Sequence, residues 1–285
     1  MYQPEHEIVY ELMKGAYDLH MHPSPDVVKR SLNDYEAMQM ADQYGMAGIL
    51  IKNHLDPTPA RAQLLNDSHQ FKTKAYSGAV LNKSVGGLNP DAVKLYLDMG
   101  ADVIWMPTLH AENHIAFYGK GKHCHDNGIR IFDENGSLKP EVYDILDLVK
   151  EYNAVLATGH ISLEESFVLC KEAHLRNIKI VLTHPEWTAT FMPLDMQKEL
   201  LKEGVIFEKL WYDVGLNHVS AAYMADTMKE LGFENCFLST DRGQPGKEYP
   251  VEGLMMFMDA LLDCGIKEKD ILTMSHQVPA YLMKR

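Results

Sequence analysis

Short, continuously apolar runs recur along the chain, each followed by a stretch whose apolar positions repeat at helical spacing. Eight runs predict strands at Tyr17–His20, Ala47–Lys52, Ala75–Leu81, Asp102–Pro107, Ala154–Thr158, Ile178–Thr183, Val205–Glu208 and Cys236–Thr240. Residues 48–51 and 179–182 show no polar alternation. That is the pattern of parallel strands buried on both faces. Helices fill the intervals. Asn33 can cap one running to about Tyr44, and Gly45 ends it. Pro90 and Pro140 sit in the first turns of two more, the second keeping Val142, Ile145, Leu146 and Val149 on one stripe. Ser162 with Glu165 forms a capping-box pattern for a helix to about Arg176. Further helices fit 194–203, 218–231, 251–264 and 267–275.

Eight strands alternating with eight helices predict a (β/α)8 TIM barrel. No linker, low-complexity tract or composition shift divides residues 1–285, so a single domain is expected. An open doubly wound sheet would show fewer strands and often a glycine-rich turn after the first. Here strand one runs into His20-Met21-His22-Pro23. One long excursion, residues 108–139 after strand four, is expected over the catalytic face, with a hairpin in 128–138 turning at Asn135-Gly136.

Composition narrows the partners. Forty acidic against 27 basic side chains give a formal net charge of -13, which argues against nonspecific binding to nucleic acid or anionic membrane. A small-molecule substrate is expected, and a homo-oligomer is compatible. Residues 1–14 lack a signal peptide's apolar stretch, and no run of about 18 apolar residues exists. Cys124, Cys170, Cys236 and Cys264 match no C-x-x-C pattern and read as free buried thiols of a cytoplasmic protein.

The histidines carry the chemistry. His20 and His22 end strand one, His54 follows strand two, His110 follows strand four, His160 ends strand five, His184 ends strand six and Asp241 ends strand eight. In a barrel these strand ends open onto one face. His20 and His22, two apart on an extended segment, point the same way. With His160, His184 and Asp241 they compose a nitrogen and oxygen ligand set for a divalent transition metal, zinc first, with iron, manganese, nickel or cobalt as alternatives. One or two ions fit this set. A single histidine at a strand end is commonly a hydrogen-bonded structural residue; five groups at the ends of four strands are not explained by packing. His6, His69, His174 and His218 are expected on the surface, and His123-Cys124-His125, beside Lys120 and Lys122, reads as a solvated loop.

These motifs resemble the amidohydrolase superfamily. The resemblance is carried by Asp18-Leu19-His20-Met21-His22-Pro23, Thr158-Gly159-His160, Thr183-His184-Pro185-Glu186, Ser239-Thr240-Asp241-Arg242-Gly243 and a closing stretch at 265–283, where Gln277-Val278-Pro279-Ala280 replaces the usual Asn-Pro-Ala turn. Binuclear members usually carry a bridging carboxylated lysine or a glutamate on strand four, but here that strand ends Trp105-Met106-Pro107-Thr108. Lys52 ends strand two instead, and Glu112 is a candidate from the insert. The resemblance implies metal-activated water, with Asp241 taking its proton and passing it to the leaving group. Lys52, His54 and His110 are then expected to stabilise developing negative charge or hold a substrate carboxylate. For Lys52 the alternative is a strand-end lysine snorkelling to solvent. Glu112, His114, Glu186 and Glu208 are the candidate substrate contacts. The function expected is hydrolysis of a small amide, cyclic amide or lactone. The alternatives are a metal-assisted decarboxylase or lyase, a phosphoesterase, and a non-catalytic metal-binding barrel.

Overall fold

A computed structural model describes residues 2–121 and 124–284. Lys122 and His123 lie outside the described residues, so the His123-Cys124-His125 stretch is described only from Cys124 onward. Eight parallel strands follow one another in sequence order. They are β1 (Tyr17–Met21), β2 (Gly48–Ile51), β3 (Lys74–Val80), β4 (Val103–Trp105), β5 (Val155–Ala157), β6 (Lys179–Leu182), β7 (Ile206–Leu210) and β8 (Cys236–Ser239). Each lies within two residues of its predicted bounds. The seam from β8 back to β1 is closed by two backbone hydrogen bonds. Asp241 N–H donates to the His20 carbonyl (2.7 Å), and His22 N–H donates to the Arg242 carbonyl (2.8 Å). The fold is therefore the expected (β/α)8 TIM barrel.

Two apolar layers explain why the strands show no polar alternation. Leu50 joins the barrel interior with Leu19, Tyr76, Trp105, Val181 and Phe237, closed below by Leu282 and Met283. Ile49 and Ile51 face the helices instead, as do Ile104, Leu156 and Ile180. On β2 and β6 both faces are thus apolar, and burial of both favours closure.

The helices follow their predicted caps. Asn33 and Glu36 cap Asp34–Gln43 reciprocally, and Ser162 and Glu165 do the same for Leu163–Leu175. Pro90 and Pro140 occupy the first turns of Pro90–Asp98 and Pro140–Glu151. Pro59–Asp67, after β2, was not predicted. It buries Pro59 and Ala62 but leaves Leu64 73% exposed, so its sequence carries no apolar stripe. The expected 267–275 helix ends earlier, at Leu272, and passes through a π turn into Val278–Leu282.

Within 108–139, Leu109 and His114 line a hollow at the barrel mouth. The segment includes a helix, Glu112–Tyr118, from which Asn113 Nδ2 donates to the carbonyls of Ala189 (2.8 Å) and His160 (3.2 Å). The 128–138 hairpin is short: Phe132 pairs antiparallel with Leu138, and Asp133 Oδ1 accepts from the N–H groups of Asn135 and Ser137. Cys124, Cys170 and Cys236 are buried free thiols, while Cys264 is only half-buried. No helix among the described residues is long and apolar enough to cross a membrane.

Candidate metal centre

The site begins with an irregularity in β1. Leu19 faces the barrel interior, so regular alternation would turn His20 outward. The register instead breaks between Asp18 and Met21. Asp18 Oδ1 accepts from the N–H groups of His20 (3.2 Å) and Thr240 (3.2 Å), and its Oδ2 accepts from the Thr240 hydroxyl (2.5 Å). The resulting bend brings His20 inside as well, 6.4 Å from the Trp105 ring between centroids. A bulge of this kind re-aims a side chain.

Four of the five predicted ligands, His20, His22, His184 and Asp241, then converge with Lys52 and Glu208. His20 Nδ1 lies 2.9 Å from Glu208 Oε1, and its Nε2 lies 2.8 Å from Lys52 Nζ and 3.2 Å from Asp241 Oδ1. Asp241 Oδ1 is also 2.9 Å from His22 Nε2, and its Oδ2 is 3.4 Å from His184 Nε2. His184 and Asp241 both take left-handed backbone, φ 52° and 50°, which turns each side chain back over the barrel. Two groups are compact enough to hold an ion: His20, His22 and Asp241, and His20, His184 and Glu208. His160 stands one ring farther out, 5.5 Å from His184 and 3.1 Å from His114 Nδ1 to Nδ1.

The donor set fits a divalent transition metal. Nδ1 of His22, Nε2 of His160 and Nδ1 of His184 are buried without a hydrogen bond. Leaving such groups bare costs about 1–3 kcal/mol each, and a cation bound by imidazole nitrogens and carboxylate oxygens relieves that cost. At His22 and His160 the protonation state suits ligation. Burial pushes His22 down to about 3 and takes His54 and His160 well below the usual range, so all three are neutral bases near pH 7. Burial would raise Asp241, but His20 and His22 outweigh it and hold the carboxyl well below its usual range. Burial and Lys52 oppose a charge on His20, yet Glu208 and Asp241 prevail and lift it to about 9. Burial lowers Lys52 to about 8. Lys52 does not snorkel: it is buried, 5.0 Å over Trp105.

Above the cluster is a hollow of about 150 Å³, walled by Leu109, Trp187 and Tyr212. His54 lines it, stacked on His22 at 4.6 Å and bonded through Nδ1 to the Thr108 hydroxyl (2.8 Å). His114 lines it too, and also a second hollow of about 180 Å³ beneath the insert. His110 belongs to that second hollow, its Nδ1 accepting from Lys83 N–H at 2.9 Å. The other three expected contacts do not line the first hollow. Glu112 is exposed and faces Arg130 at 3.8 Å. Glu208 sits below the cluster as the partner of His20. Glu186 lies behind the barrel wall in a fully buried ion pair with Lys209 (2.5 Å). Lys209 follows inward-facing Glu208 on β7 and so points toward the helices, drawing Glu186 with it.

Three residues were not anticipated. Arg30 and Gln244 line the first hollow. Asp213 is buried with neither carboxylate oxygen hydrogen-bonded, 3.8 Å from His184 Nδ1. Gln244 had one available signal, its place three residues after Asp241. Arg30 and Asp213 had none.

The model of a family described as a family of unknown function (DUF6282) matches residues 15–208. The chain belongs to this family. The matched span carries His20, His22, Lys52, His160, His184 and Glu208; Asp241 lies beyond it. No curated protein matches this DUF6282 chain significantly. Among solved structures, an amidohydrolase from Pseudomonas aeruginosa superimposes with a TM-score of 0.65 at 10% identity, over 96% of this chain and 98% of that one. A TatD homologue from Escherichia coli gives 0.60 at 14% identity, over 95% and 98%. An organophosphorus hydrolase from Deinococcus radiodurans gives 0.60 at 11%, over 97% and 94%. At these identities the likeness is one of fold.

Proposed function

We propose that this DUF6282 chain is a metal-dependent hydrolase of the amidohydrolase superfamily that opens a small amide, cyclic amide or lactone. The supporting observation is the convergence of His20, His22, His184 and Asp241, with buried nitrogens bare of hydrogen bonds, beneath a hollow at the barrel mouth. Neighbours of the same fold that are named hydrolases favour the same reading. His20, His22, His184 and Asp241 would hold the ion, zinc first, with His160 or Glu208 completing the set. A bound divalent cation lowers the pKa of water toward ~7 and polarises a carbonyl. Asp241, ionised at neutral pH, accepts the proton of the attacking water and returns it to the leaving nitrogen or oxygen. Lys52 and the neutral imidazole of His54 stabilise negative charge that develops on the substrate oxygen. His110, one hollow away, takes no part in this step. A cytoplasmic setting belongs to the same proposal, since free thiols persist in a reducing compartment.

Elemental analysis of native protein tests the proposal first. One or two equivalents of a transition metal are expected, and His20→Ala with His22→Ala should lose them. Metal-replete protein should then turn over members of a panel of lactams, hydantoins and lactones in preference to phosphate esters. Native protein without metal, taking up none on reconstitution, sinks the hydrolase reading.

A further inference from the structure

Two polar side chains line the hollow without joining the cluster below it. Arg30 comes from the segment after β1 and Gln244 from the segment after β8. We propose that they form a subsite for a carboxylate beside an N–H, so that the substrate is an amide acid: an N-acyl amino acid, or a lactam with a free carboxylate next to the ring nitrogen. This deepens the hydrolase reading and rests on it for the bond that is cut.

The two residues are held together by the backbone. Ser31 N–H donates to the Gly243 carbonyl at 2.8 Å, so the neighbours of that bond on each strand of chain are Arg30 and Gln244. Gly243 permits this approach. Its φ is 136°, and a Cβ there would stand 2.0 Å from the His22 carbonyl oxygen. Any other side chain would push the Gln244 segment off β1.

Each side chain is oriented and incompletely used. Arg30 is 7% exposed at its side chain, with Nε (2.8 Å) and Nη2 (2.7 Å) both on Asp26 Oδ2. The Asp26 side chain is 3% exposed and fixes the guanidinium plane. Nη1 forms no hydrogen bond among the described residues and remains for a ligand. Gln244 Nε2 donates to the Asp241 carbonyl at 2.8 Å, which fixes which end of the amide is nitrogen and which is oxygen. Its Oε1 is buried and unpartnered. A buried acceptor with no donor calls for an N–H from the ligand. A single free guanidinium nitrogen in a hollow of about 150 Å³ suits a carboxylate rather than a phosphate dianion, whose three oxygens take more donors. With the carboxylate on Arg30 and the N–H on Gln244, the acyl carbon lies toward Asp241 and the histidines.

Titration calorimetry on the protein as purified tests this with N-acetylglycine, its neutral amide N-acetylglycinamide, and N-acetylsarcosine, which lacks the N–H. The acid should bind about 10- to 100-fold tighter than the amide, the span expected of a hydrogen bond to a charged group. Arg30→Met should erase that preference; Arg30→Gln, which can still reach Asp26, should do the same and serves if the first variant fails to fold. Gln244→Leu should weaken N-acetylglycine about tenfold and leave N-acetylsarcosine unchanged. Equal affinity for acid and amide, binding of neither, or an acid preference that survives both Arg30 variants overturns the proposal. Acetate release is followed in parallel. Acid preference without release removes hydrolysis and leaves the subsite standing, while release from neutral amides without acid preference does the reverse.

Discussion

Replacing Asp241 by Asn separates the two roles proposed for it, ligand and base. The choice of Asn follows from the backbone. Asp241 has φ 50°, and Asn is among the few side chains that tolerate this region, whereas Ala would add about 1–2 kcal/mol of strain to the effect being measured. The Asp241 N–H to His20 and the Gln244 bond to the Asp241 carbonyl involve main chain only and survive. An oxygen also remains to face His20 and His22, and four imidazoles stay in place. Metal content should therefore hold near the wild-type stoichiometry. What disappears is a charge 3.2 Å from His20 Nε2, an interaction of about 5 kcal/mol at an effective dielectric constant of about 20, together with the site that takes the proton. Turnover of metal-replete protein should fall about 10²- to 10⁴-fold, or about 2.7–5.4 kcal/mol of barrier. In metal-free Asp241→Asn protein His20, with Glu208 as its one remaining carboxylate partner, should titrate at lower pH than in metal-free wild type, visible by NMR of labelled imidazoles. Wild-type turnover at full metal loading would refute the assignment of the base to Asp241.

Two other outcomes follow from buried charge. Lys209→Met strands the Glu186 carboxylate behind the barrel and should cost about 3–5 kcal/mol in urea unfolding, while adding Glu186→Leu should restore most of it; folded variants should keep wild-type kcat/KM, and an unchanged unfolding midpoint for Lys209→Met would count against the pair. Metal-free protein should lose stability as pH falls below about 6.5, because the unfolded chain then protonates His22, His54 and His160 while the fold keeps them neutral, at about 1.4 kcal/mol per pH unit for each group down toward its folded value. His20, raised to about 9, is charged in both states over that range and does not offset the trend; its contribution is lost instead as pH rises from about 6.5 through about 9. Urea midpoints at about pH 7.5, 6.5 and 5.5 measure this, and a flat series would contradict it.

Local chemistry made the fold legible. Parallel strands that bury both faces must be apolar throughout, and Asn33, Pro90, Pro140 and Ser162 announce helix starts through hydrogen bonds made within a few residues. The histidines at strand ends were legible for the same reason, since a barrel sends every such end to one face. What the chain did not disclose depends on parity and on contacts across it. Glu186 follows a left-handed residue, His184, so the direction of its side chain could not be counted from β6. Glu208 is one residue from Lys209, and only the strand's orientation decides which of them enters the barrel. Pro59–Asp67 folds on the strength of its neighbours rather than its own stripe. Arg30 meets Gln244 because of a backbone bond between residues more than 200 positions apart, which no local pattern encodes.

The seam between β8 and β1 ties these points together. From β2 round to β8 adjacent strands share a regular parallel ladder, but here the pairing rests on bonds made by the proposed ligand residues and by their immediate neighbours. Asp241 N–H holds the His20 carbonyl, His22 N–H holds the Arg242 carbonyl, and Asp18 braces Thr240 from behind. The spacing between His20, His22 and Asp241 is therefore set by barrel closure and not by flexible loops. A cation bound by all three adds a second fastening across the same seam. Because the unfolded chain cannot present ligands more than 200 positions apart together, most of that binding energy appears as folding stability. Arg30 and Gln244 hang from the outer end of this seam, through Ser31 and Gly243. Ligand spacing, barrel closure and the proposed carboxylate subsite are thus consequences of one strand junction. A change that loosens it, such as a side chain at Gly243, should disturb all three together, whereas a change at Lys209 or Glu186, on the far side of the wall, should disturb stability alone.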